Sequence, residues 1–254
     1  MTAGRRIADW REARDYAWLA DCSRPAFAWE WLRRCPAYRL AWSKFPGSGA
    51  RRAVAAPDWP IHRFEDPSLD ASLARPIWTR EALPSVIRAS ATWAGVSEES
   101  FDFESCASLL TSVQTDGIQC LLISDGCRSL RLDITGDDVT RGPVLLDYRL
   151  SGLRTVGPPL AALRQFLAVA LTGAFTASIH APERRARRMI LLLRARDGLE
   201  AGASQRDIAQ DLLAVSELRP DWRTVAPSLR SQAQRLIKAA RTMAAGGFLR
   251  LLDR

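Results

Sequence analysis

Histidine is nearly missing from this chain: His62 and His180 are the only two among 254 residues. Paired histidines, a glycine-rich loop followed by Lys-Ser or Lys-Thr, and a nucleophile elbow are all missing too, which leaves metal-assisted hydrolysis, nucleotide hydrolysis and acyl transfer without a motif. The five cysteines, Cys22, Cys35, Cys106, Cys120 and Cys127, are odd in number and show no close metal-type pairing. They are expected to be reduced, mainly buried thiols, with no metal and no cofactor. The carboxylates Asp125, Asp137 and Asp138 sit where turns are expected, and Asp favours turns through bonds to its own backbone. A non-enzymatic protein is the expectation. The most apolar run, residues 160–171, contains Arg164 and Gln165 and is too short to span a bilayer. The basic start is followed by Asp9 and Glu12 without an apolar core, so neither a secretory signal nor membrane association is expected. A cytoplasmic, nucleoid-associated protein is the expectation.

What the chain has instead is local positive charge. Its net charge is +8. Residues 183–254 hold fifteen of the 36 Lys/Arg and eight of the 28 Asp/Glu, leaving twenty-one against twenty for all that precedes. A surplus confined to one stretch is the electrostatic footprint expected for a polyanion. Between Trp222 and Asp253 there is no acidic residue, while Arg223, Arg230, Arg235, Lys238, Arg241 and Arg250 are present.

The same stretch reads as three helices. In the first, Ala186, Met189, Ile190 and Leu193 form an apolar stripe ending at Gly198. Ser204 is placed to cap the second, whose Ile208, Ala209, Leu212 and Leu213 share a face. From about Ser228 a longer amphipathic pattern carries Leu229, Ala233, Leu236, Ile237, Ala240 and Met243, and Gly246-Gly247 stops it. Arg230, Ser231, Gln234, Lys238 and Arg241 then fall on the opposite side. Guanidinium pairs with guanine and carboxamide with adenine, whereas Lys and Ser more often hold phosphates. The expected contact set is therefore Arg206 and Arg223 on phosphates and Arg230, Ser231, Gln234, Lys238 and Arg241 near bases, with Arg235 a further DNA-binding candidate. Arg184, Arg185, Arg187 and Arg188 are further candidates for phosphates, with a solvated face as the equal alternative.

Residues 185–188, 193–198 and 202–209, Asp221-Trp222-Arg223, Arg235-Leu236, Gly246-Gly247-Phe248 and Leu251-Leu252 resemble the C-terminal domain of a proteobacterial transcriptional-regulator family. That family occurs in activators of integrative and conjugative element excision and transfer. Asp9-Trp10-Arg11, Tyr16 and residues 26–34, with Pro36 and Tyr38, resemble the regulator-like N-terminal domain often fused to it. The resemblance implies a DNA-binding activator of mobile-element genes acting on promoter double-stranded DNA. It implies an antiactivator or a protein of the transcription machinery as a possible partner, and an antiactivator-type module that binds a related activator is the alternative function. A subunit of a DNA-processing complex is a further alternative, and a homodimer is left open.

The remaining sequence fills in an α+β fold. Residues 5–20 have helical spacing, and Pro25 opens a second helix over residues 26–34. The aromatic residues crowded into the first 42 positions read first as core of a small helical unit; the sharper alternative makes Trp29 or Trp31 anchors for a partner. Residues 43–56 read as a basic linker and 58–83 as an irregular, proline-rich layer. Strand patterns at 85–91, 118–124, 128–134 and 142–150, with Asp125-Gly126 as a hairpin turn, predict a small antiparallel meander. Pro158-Pro159 opens a helix that covers one sheet face. The division along the chain is 1–45 N-terminal helical, 46–84 linker and irregular, 85–155 sheet, and 156–254 C-terminal helical with a helix-turn-helix.

Overall fold

Residues 118–124, Ile-Gln-Cys-Leu-Leu-Ile-Ser, are apolar at both odd and even positions, and such a strand needs cover on both faces. The structure, a computed structural model, describes residues 8–45, 56–176, 178–213 and 227–253, and supplies both covers. The four consecutive stretches of the sequence reading follow element type along the chain. In space the chain gathers into two units, one of residues 1–22 with 183–248, the other of residues 23–182 with 249–254.

The larger unit is built on a five-stranded sheet: β1 (Ile87–Trp93), β2 (Leu110–Thr115), β3 (Ile118–Ser124), β4 (Ser129–Gly136) and β5 (Val144–Tyr148), in the order β2-β3-β4-β1-β5. This corrects the simple meander in two respects. β1 runs parallel to β4, with Ile87 opposite Leu132, so the chain crosses over instead of turning back. β2 was also missed, because Leu-Thr-Ser-Val-Gln-Thr carries little apolar signal. Asp116 at φ 49 and Gly117 at φ 76 make the tight two-residue turn between β2 and β3. Asp125-Gly126 instead lies in a four-residue loop closed by Asp125 N–H on the Arg128 carbonyl.

One sheet face buries Leu121, Ile123, Leu130, Leu132 and Ile134 under Leu163, Phe166 and Val169. These come from α3 (Gly157–Thr172), which ends at Gly173 in the left-handed region as expected. The other face carries Cys120 and Leu122 against Ile77. Arg131 is fully buried there, donating to the carbonyls of Trp78, Leu121 and Leu132 and to Asp133. The irregular layer of residues 58–83 thus packs as expected and carries an isolated bridge, Ile61 with Trp78. His180 is buried with its ring nitrogens against the Thr176 and Gln165 carbonyls, a packing role.

The aromatic residues of α1 (Arg24–Leu32) and α2 (Pro36–Ser43) are core. Trp29 and Trp31 are 0% and 2% exposed, so neither is available as a partner anchor. The Trp29 indole donates to the Leu69 carbonyl and the Tyr38 hydroxyl to the Glu65 carbonyl, which ties the helices to the irregular layer. Cys35, Cys106 and Cys120 are free thiols, whereas Cys22 and Cys127 are disulfide-bonded. That corrects the expectation for these two, since their positions along the chain carry no pairing signal.

The smaller unit joins both ends of the sequence. Its parts are a 3-10 helix (Ala13–Asp21), α4 (Ala186–Glu200), α5 (Gln205–Leu212) and α6 (Pro227–Ala244). Within residues 5–20, the described helical turns are of the tighter type. Gly198 does not stop α4 as expected; it lies inside the helix, where a Cβ would come within 2.9 Å of both Trp10 and Ile208. The stop is at Ala201 and Gly202, the latter at φ 81.

Candidate nucleic-acid interface

Ser204 starts α5 as the sequence predicts. Its hydroxyl accepts from the Asp207 N–H while the Asp207 carboxylate accepts from the Ser204 N–H, so two otherwise orphaned donors are satisfied. The hydroxyl bond first, then the backbone bond, hold the Asp207 carboxyl below its usual range. Replacing Ser204 by Ala is expected to lower stability by about 1 kcal/mol, measured by urea unfolding; an unchanged midpoint would mean that the cap contributes nothing.

α6 is eighteen residues long, about 27 Å at 1.5 Å per residue. Its buried side holds Ala233, Leu236 and Ala240. Ala233 meets Ala209 of α5, with Leu213 and Leu229 packed around the pair. The opposite side exposes Arg230, Ser231, Gln234, Lys238 and Arg241, as the helical spacing predicts, and Arg235 is exposed beside them. Arg230 and Arg241 are about 16 Å apart along the axis. An open groove of about 830 Å³ runs between this face and the start of α5, with Ser204 and Gln205 on one side and Gln234, Lys238, Arg241 and Thr242 on the other. The Gln205 amide donates to the Arg230 carbonyl, which keeps the beginning of α6 beside the first turn of α5. The groove therefore joins the positive end of a helix dipole to two cations and two polar side chains.

Other expected residues lie differently. Arg206 is exposed on the first turn of α5. Arg223 lies outside the described residues. Arg184, Arg185, Arg187 and Arg188 are exposed at the beginning of α4. Leu199, near the far end of that helix, lines the groove, so Arg187 and Arg188 in its first turn are displaced from it by roughly 16–18 Å along the axis, and Arg184 and Arg185 precede them. The structure does not bring them to the same site. Gln205 and Thr242 were missed as groove residues; Ser204-Gln205 at a helix start was the available sign for the first, and Thr242 offered none.

A cysteine, a histidine and a carboxylate meet elsewhere: His62, Cys120 and Asp133 have ligand atoms within 4.8 Å of one another. Burial first, then the charge of Asp133, push the Cys120 thiol up to about 11. It is not an activated nucleophile, and Cys120 is 1% exposed. Among the described residues no helix is long and apolar enough to cross a membrane.

A short capped helix and a later long helix with an exposed basic face offer a surface suited to a polyanion such as DNA. The family comparison is consistent with this. Residues 157–253 match the family described as "T6SS, Transcription factor, DNA binding domain" and residues 9–60 match the "Proteobacterial transcriptional regulator-like domain". The chain therefore combines a regulator-like N-terminal domain with a C-terminal DNA-binding domain, and is a DNA-binding transcription regulator. No curated protein and no solved structure matches the chain.

Proposed function

We propose that the exposed face of α6 enters a major groove of promoter DNA, with the first turn of α5 held against the sugar-phosphate backbone. The observation that carries this reading is the groove itself, where Gln234, Lys238 and Arg241 stand opposite the capped start of α5. A helix fits the roughly 12 Å width of the major groove. Arg230, Ser231, Gln234, Arg235, Lys238 and Arg241 would then lie nearest the bases and Arg206 and Arg223 nearest phosphates; Arg184, Arg185, Arg187 and Arg188 would touch only DNA that extends past the groove.

Gel-shift titration of the protein's own upstream DNA tests this. Gln234→Ala or Arg230→Ala is expected to cost about 1–3 kcal/mol on the preferred sequence and relax discrimination, while Arg206→Ala weakens all sequences alike and lowers the salt slope by about one. No shift at low salt, or equal loss on all sequences for Gln234→Ala, would defeat the assignment.

The regulated genes follow from resemblance. We infer an activator of excision or transfer genes of an integrative and conjugative element, working with a second protein, either the transcription machinery or an antiactivator. A second reading, supported by the T6SS transcription-factor family that the C-terminal region matches, directs the protein to secretion-system genes. Mapping the bound promoters in cells separates the two, and footprint spacing reports whether two copies bind together.

A further inference from the structure

We propose that His62, Cys120 and Asp133 form a zinc site that fastens the irregular layer to the sheet of the larger unit. Cys120 and Asp133 are direct cross-strand partners on β3 and β4, so their side chains leave the same sheet face side by side. His62 reaches them from the layer above, where its own N–H donates to the Ile77 carbonyl. All three ligand atoms lie within 4.8 Å of one another. A tetrahedral zinc at about 2.0–2.3 Å from each ligand sets the ligands about 3.3–3.8 Å apart, so binding draws the three side chains together by up to about 1.5 Å.

A second observation points the same way. Among the described residues, the buried Nε2 of His62 has no hydrogen-bond partner. Leaving such an atom unsatisfied is costly, and a metal ion is one of the few groups that removes the cost without a hydrogen. The donor set of one thiolate, one imidazole and one carboxylate is of mixed softness, which suits zinc better than calcium or magnesium. Arg131 donates to one oxygen of Asp133, in the manner of the outer partners that orient a metal-binding carboxylate. On binding, the Cys120 S–H bond breaks, the proton leaves to solvent and the sulfur pair forms the bond to zinc. Three protein ligands leave a fourth position for water. His62 is only partly covered, which gives the ion a way in.

The test uses the full chain stripped with a chelator and then titrated with cobalt and with zinc. Wild type is expected to take up one equivalent, to show a sulfur-to-cobalt charge-transfer band that zinc abolishes, and to melt at a higher temperature with zinc. His62→Gln and Cys120→Ser should each lose the high-affinity equivalent. The band from Cys120 is distinguished from one given by Cys35 or Cys106, because only the former disappears in Cys120→Ser. His62 is at the edge of the core, so His62→Gln remains informative if Cys120→Ser does not fold. No uptake by wild type, or equal uptake by wild type and His62→Gln, overturns the proposal. DNA binding is not the readout, so this outcome is independent of the function proposed above.

Discussion

Trp10→Ala is expected to cost about 3–5 kcal/mol, the range for truncating a buried tryptophan, and to take DNA binding with it. Trp10 is 5% exposed and belongs to the same packed unit as α4, α5 and α6. Its ring lies against Gly198, close enough that a methyl there would meet it at 2.9 Å. Its carbonyl accepts from the Arg194 guanidinium at 2.8 Å, and the next residue, Arg11, pairs with Asp211 of α5 at 2.9 Å. Tyr16 adds a hydroxyl bond to Asp197. The start of the chain is therefore part of the scaffold under the basic helix. Denaturant unfolding and gel shifts on the same samples check this; a wild-type midpoint for Trp10→Ala would show that the segment is dispensable.

Gly198→Ala gives a sharper version of the same test. Alanine in a helix interior gains about 1 kcal/mol over glycine, but overpacking a filled contact typically costs about 1–3 kcal/mol. The rigid Trp10 ring cannot yield as the Ile208 methyl end can, so the net effect is expected to be destabilising. In the Trp10→Ala background the clash is removed and Gly198→Ala should become neutral or favourable. Additive losses in the double variant would mean that the two residues do not share a contact.

Sequence legibility divides along physical lines. The exposed face of α6 could be read because a helix's period depends only on its own residues, and Arg230, Gln234, Lys238 and Arg241 obey it. The Ser204 cap is likewise local. The α+β class was legible from β3 and β4, whose patterns are strong. By contrast, the parallel pairing of β1 with β4 is a long-range fact that no local pattern encodes. Gly198 reads as a helix stop when only its neighbours in sequence are considered; what fixes it inside α4 is an indole from the other end of the chain. Arg131 and Asp133 alternate with Leu130 and Leu132 as solvent-facing residues would, yet the irregular layer covers them. The meeting of His62 with Cys120 and Asp133 follows from that layer and was invisible for the same reason.

Glu30 is another charge concealed by tertiary packing, and removing it is expected to cost about 3–5 kcal/mol, because cations gathered around it would stay buried. It is 1% exposed on α1 and accepts from Arg33 at 2.8 Å, from Arg34, and from the Ala71 N–H at 2.8 Å. Burial alone would raise its carboxyl above the usual value, but the charges of Arg34 and Arg33, with the Arg34 and Ala71 hydrogen bonds, outweigh it and hold it lower. A carboxyl lowered in the folded state binds its proton more readily in the unfolded chain. Its stabilisation is thus fully present above the ordinary glutamate range and is lost as pH falls through the lowered folded value. Glu30→Gln keeps the shape and removes the charge, so the gap between wild type and variant should be wide near neutral pH and narrow on acidification. Urea midpoints measured at both ends of that window decide the matter. A gap that does not change with pH would assign the loss to packing and leave the Glu30 charge without a stabilising part in the larger unit.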